Sequence, residues 1–141
     1  MATITKEIKE LSKITSEEWK EWTMTVWNIA NISDSLHPAV FPVEIPHRLL
    51  RMFSFWGETV LDPFSGTGTT GEAALNNGRK YVGFETNPIY YERSTQRLHD
   101  VAQKNNIEDT DSAFAVYNHS CLDTPKQNSR SSVERHIKGE G

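Results

Sequence analysis

The chain has 141 residues, 36% of them apolar, which suits one globular domain and leaves no room for two. No run approaches the roughly 20 apolar residues that cross a bilayer, and the N-terminus lacks a secretory core, so we expect a cytoplasmic protein without a membrane segment. The single cysteine, Cys121, excludes an internal disulfide framework, and the net charge of −4 is unusual for a protein that holds DNA phosphates unaided.

The first quarter of the chain predicts a leader and then a helix. Residues 1–14 are polar and lysine-rich, and we expect a flexible leader or a frayed helix there. Thr15 and Glu18 have the spacing of a capping box, which favours a helix start. Apolar residues at i, i+3 and i+7 then indicate one face packed in the core; they are Trp19, Trp22 and Val26.

Residues 31–42 predict a loop, because two X-Pro pairs within five residues discourage regular structure. Pro46 favours a helix start, and Gly57 favours the end of that helix. The helix would bury one apolar stripe, formed by Ile45, Leu49, Leu50, Met52 and Phe53.

The middle of the chain predicts a β-α-β unit with a glycine-rich first turn. A strand over 58–61 runs into Gly66 and Gly68, a helix follows over 69–77, and a second strand covers 80–84. Glycines let a backbone approach a ligand closely, and the free N–H groups of the next helix start favour a negative group. Glu85 follows the second strand, 17 positions after Gly68, about where Rossmann-like units place a carboxylate against ribose hydroxyls.

A long helix from Pro88 to about Lys104, an acidic turn over 105–111 and a third short strand over 113–117 complete the predicted order. The strands and helices together indicate an α/β fold of about three parallel strands flanked by helices. Residues 124–141 are polar and aperiodic, so we expect a disordered tail, and we place the domain at 15–123.

Three motifs carry a family resemblance that covers roughly residues 19–98. Residues 62–70, Asp-Pro-Phe-Ser-Gly-Thr-Gly-Thr-Thr, resemble the S-adenosylmethionine-binding motif of amino-methyltransferases that modify adenine N6 or cytosine N4 in DNA. Residues 37–42, His-Pro-Ala-Val-Phe-Pro, are similar to the upstream motif of the permuted branch, in which the catalytic half precedes the cofactor half. Residues 26–29, Val-Trp-Asn-Ile, also fit that branch.

The resemblance implies a Rossmann-type methyltransferase fold that binds S-adenosyl-L-methionine. In the upstream loop the implied cofactor contacts are His37, Pro38, Ala39, Phe41 and Pro42. In the glycine motif they are Asp62, Phe64, Ser65, Gly66, Thr67, Gly68, Thr69 and Thr70, and after the second strand they are Glu85 and Asn87. Asn87 is also well placed to cap the next helix, which is the role we favour. No His, Cys or acid cluster accompanies His37 at ligand spacing, so we expect no metal site.

The family's catalytic motif, Asp/Ser/Asn-Pro-Pro-aromatic, is absent from this chain, because no two of its six prolines are adjacent. The nearest match, Asn-Pro-Ile-Tyr at residues 87–90, has the residue types of a helix start. We therefore expect the cofactor half of a DNA methyltransferase that is inactive without a catalytic half. That half, and most of the DNA contact, would come from a second polypeptide or a missing segment. Two alternatives remain: a non-catalytic S-adenosylmethionine-binding remnant, and a dinucleotide-binding fragment, which the absence of a third glycine disfavours.

Overall fold

The computed structural model describes residues 3–32 and 40–123. Three strands lie in this part of the chain: β1 (Thr59–Asp62), β2 (Lys80–Phe84) and β3 (Phe114–Tyr117). The helices of the same residues are α1 (Lys6–Leu11), α2 (Ser16–Trp22), α3 (Glu44–Phe53), α4 (Thr69–Asn76), α5 (Pro88–Lys104) and α6 (Thr110–Ala113). His37, Pro38 and Ala39 and the predicted tail lie outside the described residues.

The three strands form one parallel sheet in the order β1-β2-β3. Val60 pairs with Tyr81, and Tyr81 pairs with Phe114, so these side chains share one face of the sheet. Helices α4 and α5 pack against that face. The core there consists of Ala74, Leu75, Tyr81, Leu98, Ala102 and Phe114. The predicted α/β fold of three parallel strands with flanking helices is confirmed.

The boundaries of the β-α-β unit differ little from the prediction. Strand β1 begins one residue later than expected and includes Asp62. Helix α4 ends at Asn76, and Gly78 follows with φ of +69° in the left-handed region that favours glycine. The predicted acidic turn leads into α6, which Asp109 caps by accepting from the Ser112 N–H at 3.1 Å, and β3 begins at Phe114, one residue later than predicted.

The predicted leader contains a helix and contacts the rest of the domain. Thr5 caps α1 by accepting from the Ile8 N–H. Ser12 Oγ accepts from the Trp56 N–H at 2.8 Å, and the Lys13 carbonyl accepts from Arg51. Of our two expectations for this segment, a flexible leader or a frayed helix, the structure has a helix over Lys6–Leu11, and Ser12 and Lys13 contact the rest of the domain.

The capping box at Thr15 and Glu18 is confirmed, but the apolar face that we predicted after it is wrong. Trp22 is buried, whereas Trp19 is 48% exposed and Val26 is 76% exposed. Helix α2 ends at Trp22, so Val26 lies beyond the helix and cannot share its face. Of the three predicted residues, only Trp22 belongs to the core.

The stripe that we predicted on α3 is also only partly buried. The helix begins at Glu44 and ends at Phe53, with Pro46 in the first turn, where a missing N–H costs no helical bond. Pro46 and Arg48 are its buried residues, while Leu49 is 43% exposed and Phe53 is 76% exposed. Of the predicted stripe, Leu50 packs against the core, and His47, which lies outside the stripe, has its Nδ1 3.0 Å from the Asn77 amide nitrogen at the end of α4. No helix among the described residues is both long and apolar enough to span a bilayer.

Candidate cofactor-binding site

The predicted glycine motif lies in the turn between β1 and α4, at the carboxyl end of the sheet. The Ser65 N–H donates to the Phe84 carbonyl at 2.8 Å, which fixes this turn against the end of β2. The Gly68 N–H donates to the Ser65 carbonyl at 2.9 Å and closes the turn on itself. Parallel α/β sheets bind ligands at this edge, outside the carboxyl ends of their strands.

Glu85 joins the two turns that border this edge. Its Oε2 accepts from the Gly66 N–H at 2.9 Å, and its Oε1 accepts from the Asn87 N–H at 2.8 Å. The side chain is half-buried at the end of β2. Because each carboxylate oxygen has two lone pairs, Glu85 can hold both turns and still accept from a ligand hydroxyl at each oxygen.

Both motif glycines have positive φ, +53° at Gly66 and +85° at Gly68, which L side chains rarely adopt. At Gly68 a Cβ would lie 2.8 Å from the Oγ of Ser94 on α5. We expected Gly68 to be glycine because a Cβ would crowd the ligand. The structure adds a second reason, since a Cβ at Gly68 would also meet helix α5.

Helix α4 begins without a side-chain cap, because its N-cap residue is Gly68. The first-turn N–H groups of an α-helix have no partner within the helix, so this end favours an anion. Thr70 is half-buried beside it, whereas Thr67 and Thr69 are buried. Arg97 donates to the Thr67 carbonyl at 3.3 Å and to the Thr69 Oγ1 at 3.1 Å. These two threonines therefore contact α5, and Thr70 offers the more accessible hydroxyl.

Asp62 ends β1 and turns its carboxylate back onto the loop. Its Oδ1 accepts from the Phe64 N–H at 3.0 Å, and its Oδ2 accepts from the Tyr81 hydroxyl at 3.4 Å. The Tyr81 hydroxyl oxygen also lies 2.9 Å from the Oγ of Ser65, which in turn lies 3.2 Å from the Oγ of Ser94. Burial raises the pKa of Tyr81, so this hydroxyl stays a protonated donor beneath the turn. Ser65 is thus a buried part of the loop's support.

Apolar walls flank this end of α4. Phe64 is 84% exposed at the tip of the turn. Phe41 and Thr70 line one groove of about 220 Å³ together with Ile45, Pro46, Leu49 and Leu50. Pro42 is half-buried next to Phe41. The described end of the predicted upstream loop therefore lies beside the start of α4.

Asn87 caps helix α5, as we favoured. Its Oδ1 accepts from the Ile89 N–H at 2.9 Å and from the Tyr90 N–H at 3.4 Å, and Pro88 takes the first helical position. The Asn-Pro-Ile-Tyr sequence is thus a helix start. Among residues 3–32 and 40–123, no group of three or more His, Cys, Asp or Glu side chains is arranged to hold a metal ion.

Three residues that support the turn were not predicted from the sequence: Tyr81, Ser94 and Arg97. Ser94 and Arg97 lie one turn apart on α5, and Tyr81 lies on the helix-facing side of β2. Their spacing is ordinary for a helix and a strand. No local pattern marks them, because their role depends on how α5 packs against the turn.

The fold and this site define a class: a parallel β-α-β unit with a glycine turn and a strand-end acid, as in nucleotide-type cofactor domains. A family model described as DNA methylase, covering N6 and N4 methyltransferases, matches residues 2–96. The chain therefore belongs to the N6/N4 DNA methylase family.

Two type II methyltransferases are among the curated relatives that are similar in sequence to this chain. Type II methyltransferase M.BglI of Bacillus subtilis is 35% identical over 118 residues, which cover 82% of this chain and 33% of that relative. Type II methyltransferase M.MjaI of Methanocaldococcus jannaschii is 38% identical over 111 residues, which cover 72% of this chain and 36% of that relative. The chain thus spans about a third of the length of these relatives.

A solved structure supports the fold assignment. TTHA0409 of Thermus thermophilus, crystallised in complex with S-adenosyl-L-methionine, is 34% identical to this chain with a TM-score of 0.60. The match covers 83% of this chain and 43% of TTHA0409. The chain therefore has the fold of one part of that protein.

Proposed function

We propose that this chain is the S-adenosylmethionine-binding part of a DNA methyltransferase that acts on the exocyclic amino group of adenine (N6) or cytosine (N4). One observation carries the proposal. The half-buried Glu85 carboxylate and the start of α4, which has no side-chain cap, lie on either side of the same glycine turn. Membership in the DNA methylase family and the S-adenosylmethionine complex of TTHA0409 support the choice of cofactor.

The residues at the turn fit the chemical parts of this cofactor. The free lone pairs of Glu85 suit the two ribose hydroxyls, because charge-assisted acceptors form the stronger hydrogen bonds. The first-turn N–H groups of α4 and the Thr70 hydroxyl suit a carboxylate, and Asp62 suits an ammonium group. Phe41 and Phe64 are exposed apolar surfaces beside the turn. When bound, the cofactor supplies an activated methyl group.

A complete reaction needs groups that this sequence does not contain. A target amino group inside a duplex is out of reach, so the base must leave the stack and be held in a pocket. The Asp/Ser/Asn-Pro-Pro-aromatic motif that would hold it is absent here. We propose that a second polypeptide or a further segment supplies this motif and most of the DNA contacts, in keeping with the chain's span of a third of its relatives.

A non-catalytic S-adenosylmethionine-binding module is the second candidate. The absence of the catalytic motif favours it as much as it favours a split enzyme. The two candidates share the cofactor site and differ in whether a catalytic half restores methyl transfer. Cofactor binding and methyl transfer therefore need separate experiments.

Titration calorimetry with S-adenosylmethionine tests the site. Glu85→Ala removes the carboxylate, and we expect its affinity to fall roughly ten- to a hundred-fold, as for the loss of a charged hydrogen-bonding group. Glu92→Ala is the matched control, because it removes an exposed acid from α5. Equal affinities of wild type and Glu85→Ala, or tighter binding of NAD than of S-adenosylmethionine, would reject the assignment.

Transfer of a radiolabelled methyl group to genomic DNA tests the chemistry. We expect no measurable transfer by the pure chain and clear transfer after co-expression with a catalytic half that carries the Pro-Pro motif. Failure of every such half to restore transfer, with cofactor binding intact, would favour the non-catalytic module. Activity of the pure chain would return the Asn-Pro-Ile-Tyr turn at 87–90 to consideration as the catalytic motif.

A further inference from the structure

We propose that Arg97 is a positioning residue that sets the glycine turn for the amino-acid end of the cofactor. This inference rests on the proposed function, and it adds a residue of α5 that lies outside the glycine motif. Arg97 is half-buried, with 30% of its side chain exposed. Its guanidinium reaches three groups of the β1–α4 connection, which are the Thr67 carbonyl, the Thr69 hydroxyl and the Glu72 carboxylate.

The bond to Thr67 fixes one peptide plane of the turn. In a trans peptide the C=O of one residue and the N–H of the next point in opposite directions. Because Arg97 Nη1 holds the Thr67 carbonyl at 3.3 Å on the α5 side, the Gly68 N–H is directed away from α5. On the side away from α5, the Gly68 N–H donates to the Ser65 carbonyl at 2.9 Å. Arg97 therefore orients the peptide that immediately precedes the start of α4.

The ion pair with Glu72 offsets the unfavourable position of the Arg97 charge near the N-terminus of α4. A helix N-terminus is positively polarised and disfavours a neighbouring positive charge. Arg97 lies 2.5 Å from the Oε2 of Glu72, and this acid is in the first turn of α4. The Glu72 N–H donates to the Gly68 carbonyl at 2.9 Å. Arg97 therefore contacts the turn directly through Thr67 and also through Glu72, which is itself bonded to the turn.

The contacts from α5 reach Gly68 from two sides. Ser94 lies one helical turn before Arg97, and its Oγ would be 2.8 Å from a Cβ at Gly68. Ser94 thus limits how far the turn can move toward α5, while Arg97 prevents it from moving away. The N–H groups at the start of α4 are held in place by this pair before any ligand arrives, and preorganised donors bind better than mobile ones.

The test compares two ligands by calorimetry on wild type, Arg97→Ala, Arg97→Lys and the control Gln96→Ala, an exposed neighbour on α5. S-adenosylmethionine has the amino-acid end, and methylthioadenosine lacks it. We expect Arg97→Ala to weaken S-adenosylmethionine on the order of ten-fold and methylthioadenosine about three-fold at most. Arg97→Lys should fall between, because an ammonium keeps the charge and loses the planar fork. Gln96→Ala should bind as wild type does.

Amide hydrogen exchange without ligand gives a second readout. In Arg97→Lys the Gly68 amide should exchange faster, while the amides of β2 keep their wild-type rates. Equal affinities in all variants, equal losses for both ligands, or faster exchange throughout the sheet would each overturn the proposal, because they indicate no role or only a general structural one. A wild type that binds neither ligand would instead reject the proposed function, so the two failures are distinguishable.

Discussion

At Gly68 two physical constraints act on one residue. The backbone has φ of +85°, which costs any L side chain free energy, and an ideal Cβ would also meet Ser94 at 2.8 Å. Gly57 has nearly the same φ, +84°, but no atom lies within 4 Å of its ideal Cβ. An alanine at Gly57 would therefore cost only backbone strain, whereas an alanine at Gly68 would cost the same strain and a steric contact with α5.

We predict that Gly57→Ala lowers the free energy of unfolding by about 1 kcal/mol, the typical cost of a left-handed alanine. Gly68→Ala should cost more, about 2–4 kcal/mol, because overpacking against α5 adds to the same strain. Urea denaturation of both variants measures the difference. Equal losses would mean that α5 yields to the new methyl group at little cost.

At the scale of elements, Arg48 joins α2 to α3. Its Nε donates to Glu44 at 2.7 Å within α3, and its Nη2 donates to Glu21 of α2 at 2.8 Å. The guanidinium carbon lies 5.8 Å from the ring centre of Trp22 and 5.3 Å from that of Trp27. Such a cation over two aromatic faces contributes packing as well as charge.

Arg48→Ala should lower the free energy of unfolding by about 1–3 kcal/mol. The exposed carboxylates contribute little of this, since surface ion pairs are worth about 1 kcal/mol at most, and the lost ring contacts supply the rest. Chemical denaturation followed by circular dichroism measures the change, with Lys20→Ala on the exposed face of α2 as the control. If Arg48→Ala is as stable as Lys20→Ala, α2 is not held through this side chain.

The elements also show what the sequence could predict. The β-α-β unit, the capping box and the Asn87 cap depend on residues within a few positions of one another, and these local signals were sufficient. The buried stripe of α3 was predicted only in part, because Arg48 is buried through contacts with α2 that lie 27 positions away in the sequence. Ser94 and Arg97 were missed because their partners lie 25 to 30 positions away in the sequence. For Gly68 the contact with Ser94 was not predicted, because it depends on how α5 packs against the turn.

At the scale of the whole molecule, β1 is one of the two end strands of the described sheet. It pairs with β2 on one side, and no other described strand pairs with it. Apolar side chains near this edge and on α3 remain exposed, among them Leu61 at 55%, Phe64 at 84% and Phe53 at 76%. Native proteins rarely leave an apolar sheet edge uncovered, because such an edge pairs with other chains.

We therefore predict that the isolated chain self-associates or is poorly soluble, and that it becomes monodisperse when co-expressed with a catalytic half. Light scattering on the purified chain, alone and as the complex, measures this. A monomer that stays soluble and melts cooperatively would show that the chain protects its own edge. That result would strengthen the non-catalytic module over the split enzyme.

The sequential pairing of the strands has a consequence for how such a site can be inherited. Because β1, β2 and β3 pair in chain order, the glycine turn, Glu85 and Arg97 lie within one uninterrupted stretch of sequence, residues 62–97. A single recombination event can transfer that stretch as a block without separating the residues that contact one another. Under the proposed function, this block could be joined to different target-recognising partners, and exchanging the order of the two halves in the gene would leave it unbroken, while Phe41 of the apolar groove lies outside it.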